Sequence, residues 1–190
     1  MRNTMKKGSE RNKSKVFKRI VCLIIIVVCV WFVFVYSLDL HKTSNRDWSD
    51  YHLTPELKEL IETKTNNLED PKDIIDVCCD VSTDYLSFAH SNQIDNKKAN
   101  CIGYARLTSA LLNHAFRKKN IAYKAKPIVG TVHSFGVNLN NVSQYILPSS
   151  WRPFFKDHDF VEINTGKERI YVDTSLSDLT GRKFVLHEEK

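Results

Sequence analysis

Three residues in the second half of the chain have the types and order for nucleophilic chemistry: Cys101, then His158, then Asp173. A thiol activated by an imidazole, with a carboxylate to orient the ring, can attack an acyl carbon and hold the acyl group as a thioester. Cys101 stands at the start of a predicted helix, Asn100-Cys101-Ile102-Gly103-Tyr104-Ala105. A first helical turn offers unpaired N–H groups and the positive end of the dipole, which favour thiolate, the reactive form. For a lone cysteine there, a small buried residue is the better reading, so the other two residues carry the argument.

His158 opens a strand in HDFVEI, and Asp173 closes the next in RIYVD. With Thr165-Gly166 as a two-residue turn, the expected cross-strand pairs are Asn164–Lys167, Glu162–Arg169, Phe160–Tyr171 and His158–Asp173. Directly opposed Cβ atoms lie about 4.5–5.5 Å apart, within reach of an imidazole–carboxylate hydrogen bond. Alternation puts His158, Phe160, Glu162, Arg169, Tyr171 and Asp173 on one face. Val161, Ile163, Ile170 and Val172 then form an apolar surface on the other. A polar cross-strand pair without a catalytic task is the plain alternative, and Glu162 with Arg169 reads that way. His133, in VHSFGV, competes for the role of base but has no acid at a comparable offset. His114 lies mid-helix and reads as a surface or packing residue.

The elements that must position these residues follow from capping and periodicity. Thr54-Pro55-Glu56 starts a helix running to about Asn66. Asp70-Pro71-Lys72-Asp73 starts a second, with Ile74, Ile75, Cys78, Val81, Tyr85 and Leu86 at helical spacing and Phe88 and Ala89 near its end. Residues 91–99 read as a loop. A third helix spans about Asn100 to Lys119, with Arg117, Lys118 and Lys119 in its last turn, where cations are favoured. Strands are expected over Ile121–Val129 and Val132–Leu139, separated by Gly130-Thr131. A long loop, Asn140–Asp157, then leads to the hairpin. Helices followed by strands indicate an α+β domain with helices packed on an antiparallel sheet.

The first part of the chain has a different character. Ile20 to Leu38 holds no charged residue, and about 20 apolar residues span a hydrocarbon core as a helix. A cleavable signal peptide would have a shorter apolar core and a small-residue cleavage site. Tyr36-Ser37-Leu38-Asp39-Leu40 does not supply one, so an uncleaved anchor is the better reading. Residues 1–19 hold eight Lys or Arg and one acid, and all residues beyond the anchor together sum to −1. The basic excess therefore reads as a positive-inside signal rather than a nucleic-acid tail. The expected organisation is a basic cytoplasmic tail (1–19), a transmembrane helix (20–38), a polar linker (39–53), and an extracytoplasmic domain (54–190), periplasmic or extracellular. Five cysteines with Cys78 and Cys79 adjacent form no disulfide framework, and no metal-ligand spacing appears.

The ordered set CIGYARLTSALL, KKNIAYKAKPIVG, HDFVEI and IYVDTS resembles the transglutaminase-like superfamily of papain-like cysteine enzymes over about residues 71–176. That resemblance implies a catalytic set of Cys101, His158 and Asp173, with no metal or organic cofactor. Cys101 would attack an amide of a protein or peptide substrate, and the acyl group would pass to water or to an amine. Asn100 and Phe160 depart from the family pattern without removing a catalytic atom. For the oxyanion hole the family would supply a donor upstream, where Gln93 and Tyr85 stand, beside the backbone N–H of Cys101. The alternative is a catalytically silent domain of the same type, used as an anchored binding or assembly module. A spacer behind the anchor is a third reading, which the compact core pattern disfavours.

Overall fold

The computed structural model describes residues 2–46, 51–89, 91, 93–146 and 157–189. Trp48 of the expected linker, and Pro148, Trp151 and Pro153 of the expected loop, lie outside them. The chain divides into two units, Met1–Leu38 and Asp39–Lys190. The first is one helix, α1 (Arg2–Tyr36). Its segment Val16–Tyr36, 21 residues, is long and apolar enough to cross a membrane. The helix thus runs back through residues expected as tail and stops two residues before the expected end of the span at Leu38.

The second unit is α+β. Its helices begin where the caps predict. In α2 (Pro55–Thr65), the Thr54 hydroxyl accepts from Leu57 N, and in α3 (Pro71–Tyr85), Asp70 accepts from Lys72 N. α3 ends earlier than its apolar pattern suggests. Ser87–Phe88 (β2) pairs in parallel with Lys98–Ala99 (β3), inside the segment expected as loop. Next comes α4 (Cys101–Lys118), capped by Asn100.

The main sheet is curled and antiparallel, with the order β1 (Leu38–Asn45), β4 (Lys124–Ser134), β6 (His158–Asn164), β7 (Glu168–Asp173) and β8 (Phe184–Glu189), and β5 (Val137–Asn138) added to β4. α5 (Leu139–Ile146) and α6 (Thr174–Thr180) complete the unit. Helices and sheet meet in one core: Leu57 and Ile61 of α2, Ile74, Ile75 and Cys78 of α3, and Leu107, Leu111 and Leu112 of α4 against Val161, Ile163, Ile170 and Val172. Cys78 and Cys79 are free thiols, both buried.

Several expectations are corrected here. The segment expected as a linker over 39–53 starts as an edge strand of the sheet. Gly130-Thr131 does not separate two strands; β4 runs straight through it. A Cβ at Gly130 would strike the His41 carbonyl and the Phe160 ring, so this glycine serves close packing. The turn comes at Phe135 and Gly136, which take φ +51° and +76° between the paired Ser134 and Val137. Asn140–Asp157 is helical at its start, as α5. Phe184–Glu189 and Thr174–Thr180 form elements for which no expectation was made.

The hairpin register is also corrected. Asn164 pairs with Arg169, Ile163 with Ile170, Glu162 with Tyr171 and Val161 with Val172. The loop holds four residues because Thr165 closes it on Glu168 through backbone and hydroxyl, and Asn164 Oδ1 accepts from Gly166 N. The pairing is therefore two residues away from the expected one. Glu162 does not face Arg169, and His158 is not directly opposite Asp173. A slip of two conserves the alternation, so the residues keep their faces.

Candidate active site

Cys101 is the first residue of α4. Asn100 caps the helix by accepting the Ile102 N–H at 3.0 Å, which fixes the first turn and the thiol on it. A Cβ at Gly103 would collide with the Ala99 side chain, so glycine allows this turn to sit tightly on β3. His158 begins β6, where its Cα partner is Gly130.

Asp173 ends β7 and caps α6. Its Oδ1 accepts from Leu176 N at 2.9 Å and from the Ser175 hydroxyl at 2.8 Å, and its Oδ2 is bonded to His158 Nε2. These three contacts hold the carboxylate against the ring. The Cys101 sulfur lies near enough to the His158 ring to help hold its proton. With Nε2 committed to Asp173, Nδ1 is the nitrogen left to meet the sulfur. The structure brings all three residues together, through a diagonal rather than a direct cross-strand placement.

The set is deeply buried: Cys101 is 5 % exposed, His158 0 % and Asp173 1 %. Burial by itself would push the His158 imidazole down. The Asp173 carboxylate, its hydrogen bond and the Cys101 sulfur outweigh that and hold it well above the ordinary histidine range. A ring that keeps its proton between sulfur and carboxylate can deliver it to a leaving amine.

A further acid adjoins the set, and sequence reasoning passed over it. Asp159 is buried, and neither of its oxygens has a hydrogen-bond partner among the described residues. Arg46, just beyond β1, reaches it with Nε 3.4 Å from Oδ1, an ion pair without a hydrogen bond. Burial raises this carboxyl from 3.8 to about 6, although Arg46 and His158 pull it down. Its one sequence signal is an acid at an inward-facing strand position, invisible until both faces of β6 are known to be covered. A second layer was also missed. Thr174, next to Asp173, bonds the Thr108 hydroxyl at 2.8 Å, and Thr108 bonds Ser82 at 2.8 Å. Tyr104 reaches Asp178 at 2.5 Å. These contacts tie α4 to α3 and α6 on either side of the set.

The other histidines lie elsewhere. His133 stacks on His41 with centroids 4.0 Å apart and bonds Thr131. His114 is paired with Glu62 at 2.8 Å. Tyr85 carries Lys97 over its ring at 5.0 Å, and the Gln93 backbone is engaged with Ser91. Three cavities of about 720, 420 and 340 Å³ among the described residues are not lined by Cys101, His158 or Asp173. No cluster of three or more metal-ligating side chains occurs among the described residues. Comparison with family models, curated proteins and solved structures finds no match to this chain.

Proposed function

We propose that residues 54–190 form a transglutaminase-like cysteine enzyme carried by an N-terminal membrane anchor, with the basic end in the cytoplasm and the domain outside it. The observation that carries this reading is the grouping of Cys101, His158 and Asp173 from a helix start and two adjacent strands, with His158 bonded to Asp173 and the Cys101 sulfur acting on its ring. In this mechanism the Cys101 sulfur forms a bond to the carbonyl carbon of an amide, and the carbonyl electrons move onto oxygen. The C–N bond then breaks, and His158 gives its proton to the departing amine. Water, deprotonated by His158, attacks the thioester carbon; the C–S bond breaks and sulfur regains its charge. An amine in place of water would give transamidation. Hydrolysis is the favoured outcome, because water needs no second binding site. Asp173 holds the ring orientation and its positive charge. The reading implies a protein or peptide substrate and no cofactor.

One observation favours a second reading, a silent domain used as an anchored binding or assembly module: the near-complete burial of Cys101 and His158. Alkylation of Cys101 in the full chain, in detergent micelles, decides between the two. The rate is followed against pH by peptide mass spectrometry, with Cys78 and Cys79 as internal references. Burial raises both of those thiols. The enzyme reading expects Cys101 to label fast at pH 6 and His158→Ala to slow it about 100-fold, since a free thiol is under about 1 % ionised there. Slow labelling that His158→Ala leaves unchanged would overturn it in favour of the silent module.

A further inference from the structure

We infer that the cavity at the far end of α4 is a binding site for a small polyanion, separate from the proposed triad and resting on none of its residues. The cavity holds about 720 Å³, a size suited to a small organic ligand. Three exposed cations from three elements line it: Lys58 of α2, Arg117 of α4 and Lys124 of β4. Among the described residues no carboxylate lines it. This is unusual for a unit whose charged side chains nearly balance, with a sum of −1 beyond the anchor.

Among the described residues, the acid and the amide nearest these cations are already engaged elsewhere. Glu62, the acid beside the cavity wall, is bonded to His114 at 2.8 Å and to Lys118 at 3.0 Å. Asn113 spends both ends of its amide on the Ala125 backbone, at 2.7 and 2.9 Å, which locks α4 to the start of β4. Lys58, Arg117 and Lys124 have no ion-pair partner among the described residues. Like charges lining one concavity repel one another, and a ligand with two or more anionic groups relieves that repulsion. Tyr51 and Tyr123 flank the cations and give an apolar surface for the ligand's scaffold. The concave shape favours a small molecule over a docked protein surface.

The test is isothermal titration of the full chain in dodecyl maltoside micelles with tripolyphosphate and, separately, citrate. The proposal expects saturable one-to-one binding of at least one probe, weakened as NaCl rises from ~50 to ~300 mM. Preference between the probes tells phosphate from carboxylate chemistry. Arg117→Ala/Lys124→Ala should weaken binding roughly 10-fold or more. Arg117→Lys/Lys124→Arg should retain it, which separates charge from damage to the fold. No binding of either probe by ~5 mM, or binding that the alanine pair leaves unchanged, would overturn the proposal.

Discussion

The two ends of β6 bury acids to similar depth and treat them in opposite ways. At the turn end, Glu162 is 4 % exposed and bonded to Lys42 at 2.7 Å and to Lys126 at 3.2 Å. Burial would raise it, yet the two lysines more than reverse that and lower it. At the opposite end, Asp159 is 1 % exposed, has one arginine at 3.4 Å and no hydrogen bond, and ionises only near pH 6. Burial raises both acids, and the two lysines on Glu162 overcome it where the single arginine near Asp159 does not. The saturated end holds the sheet together. The unsaturated end adjoins His158, where charge is concentrated rather than dispersed.

The largest effect should come from the charge on Asp173. Asn at this position keeps an oxygen for the α6 cap and for Ser175 but loses the carboxylate beside His158. Asp173→Asn should therefore slow Cys101 alkylation at pH 6 about 100-fold without unfolding the domain. Glu162→Gln, at the other end of the strand, should leave that rate unchanged. Equal losses in both variants would erase the distinction between the two ends.

Stability comes next, and the two acids should respond with opposite signs. Asp159 has a folded value of about 6, above its unfolded 3.8. Its protonation favours the fold below pH ~3.8, and that advantage is lost as pH rises through ~6. Asp159→Asn should thus stabilise at pH 8 relative to pH 4, by up to about 3 kcal/mol in the difference, read from urea midpoints. Glu162 is lowered, so its contribution is present above its unfolded value of 4.5 and is lost as pH falls through the folded one. Glu162→Gln should destabilise at pH 7 by about 1–2 kcal/mol. If Asp159→Asn gains no stability between pH 4 and pH 8 relative to the unchanged protein, or Glu162→Gln costs none at pH 7, partner number does not govern these acids.

The smallest effect should be at Lys126, whose side chain is half exposed. Lys126→Ala should cost at most about 0.5 kcal/mol, because solvent screens the pair and Lys42 still holds Glu162. A loss as large as that of Glu162→Gln would mean that the turn end depends on one lysine.

Local chemistry made much of this protein readable in one dimension. Thr54, Asp70 and Asn100 cap their own helices with side chains two or three residues from the groups they satisfy, so α2, α3 and α4 follow from sequence. The apolar run before residue 37 needs no partner to be recognised. The grouping of Cys101, His158 and Asp173 was legible because strand alternation survives an even slip. The wider Thr165–Glu168 loop moved the register by two without turning any side chain over. Tertiary contact decided the rest. Only the approach of His41 and Phe160 turns Gly130 from a break into a packing glycine, and only pairing with β4 makes a strand of Leu38–Asn45. That strand brings Lys42 to Glu162 and, just past its end, Arg46 to Asp159. The properties of the two β6 acids therefore depend in part on Lys42 and Arg46, cations more than 100 positions away in the chain, a distance that no local pattern encodes.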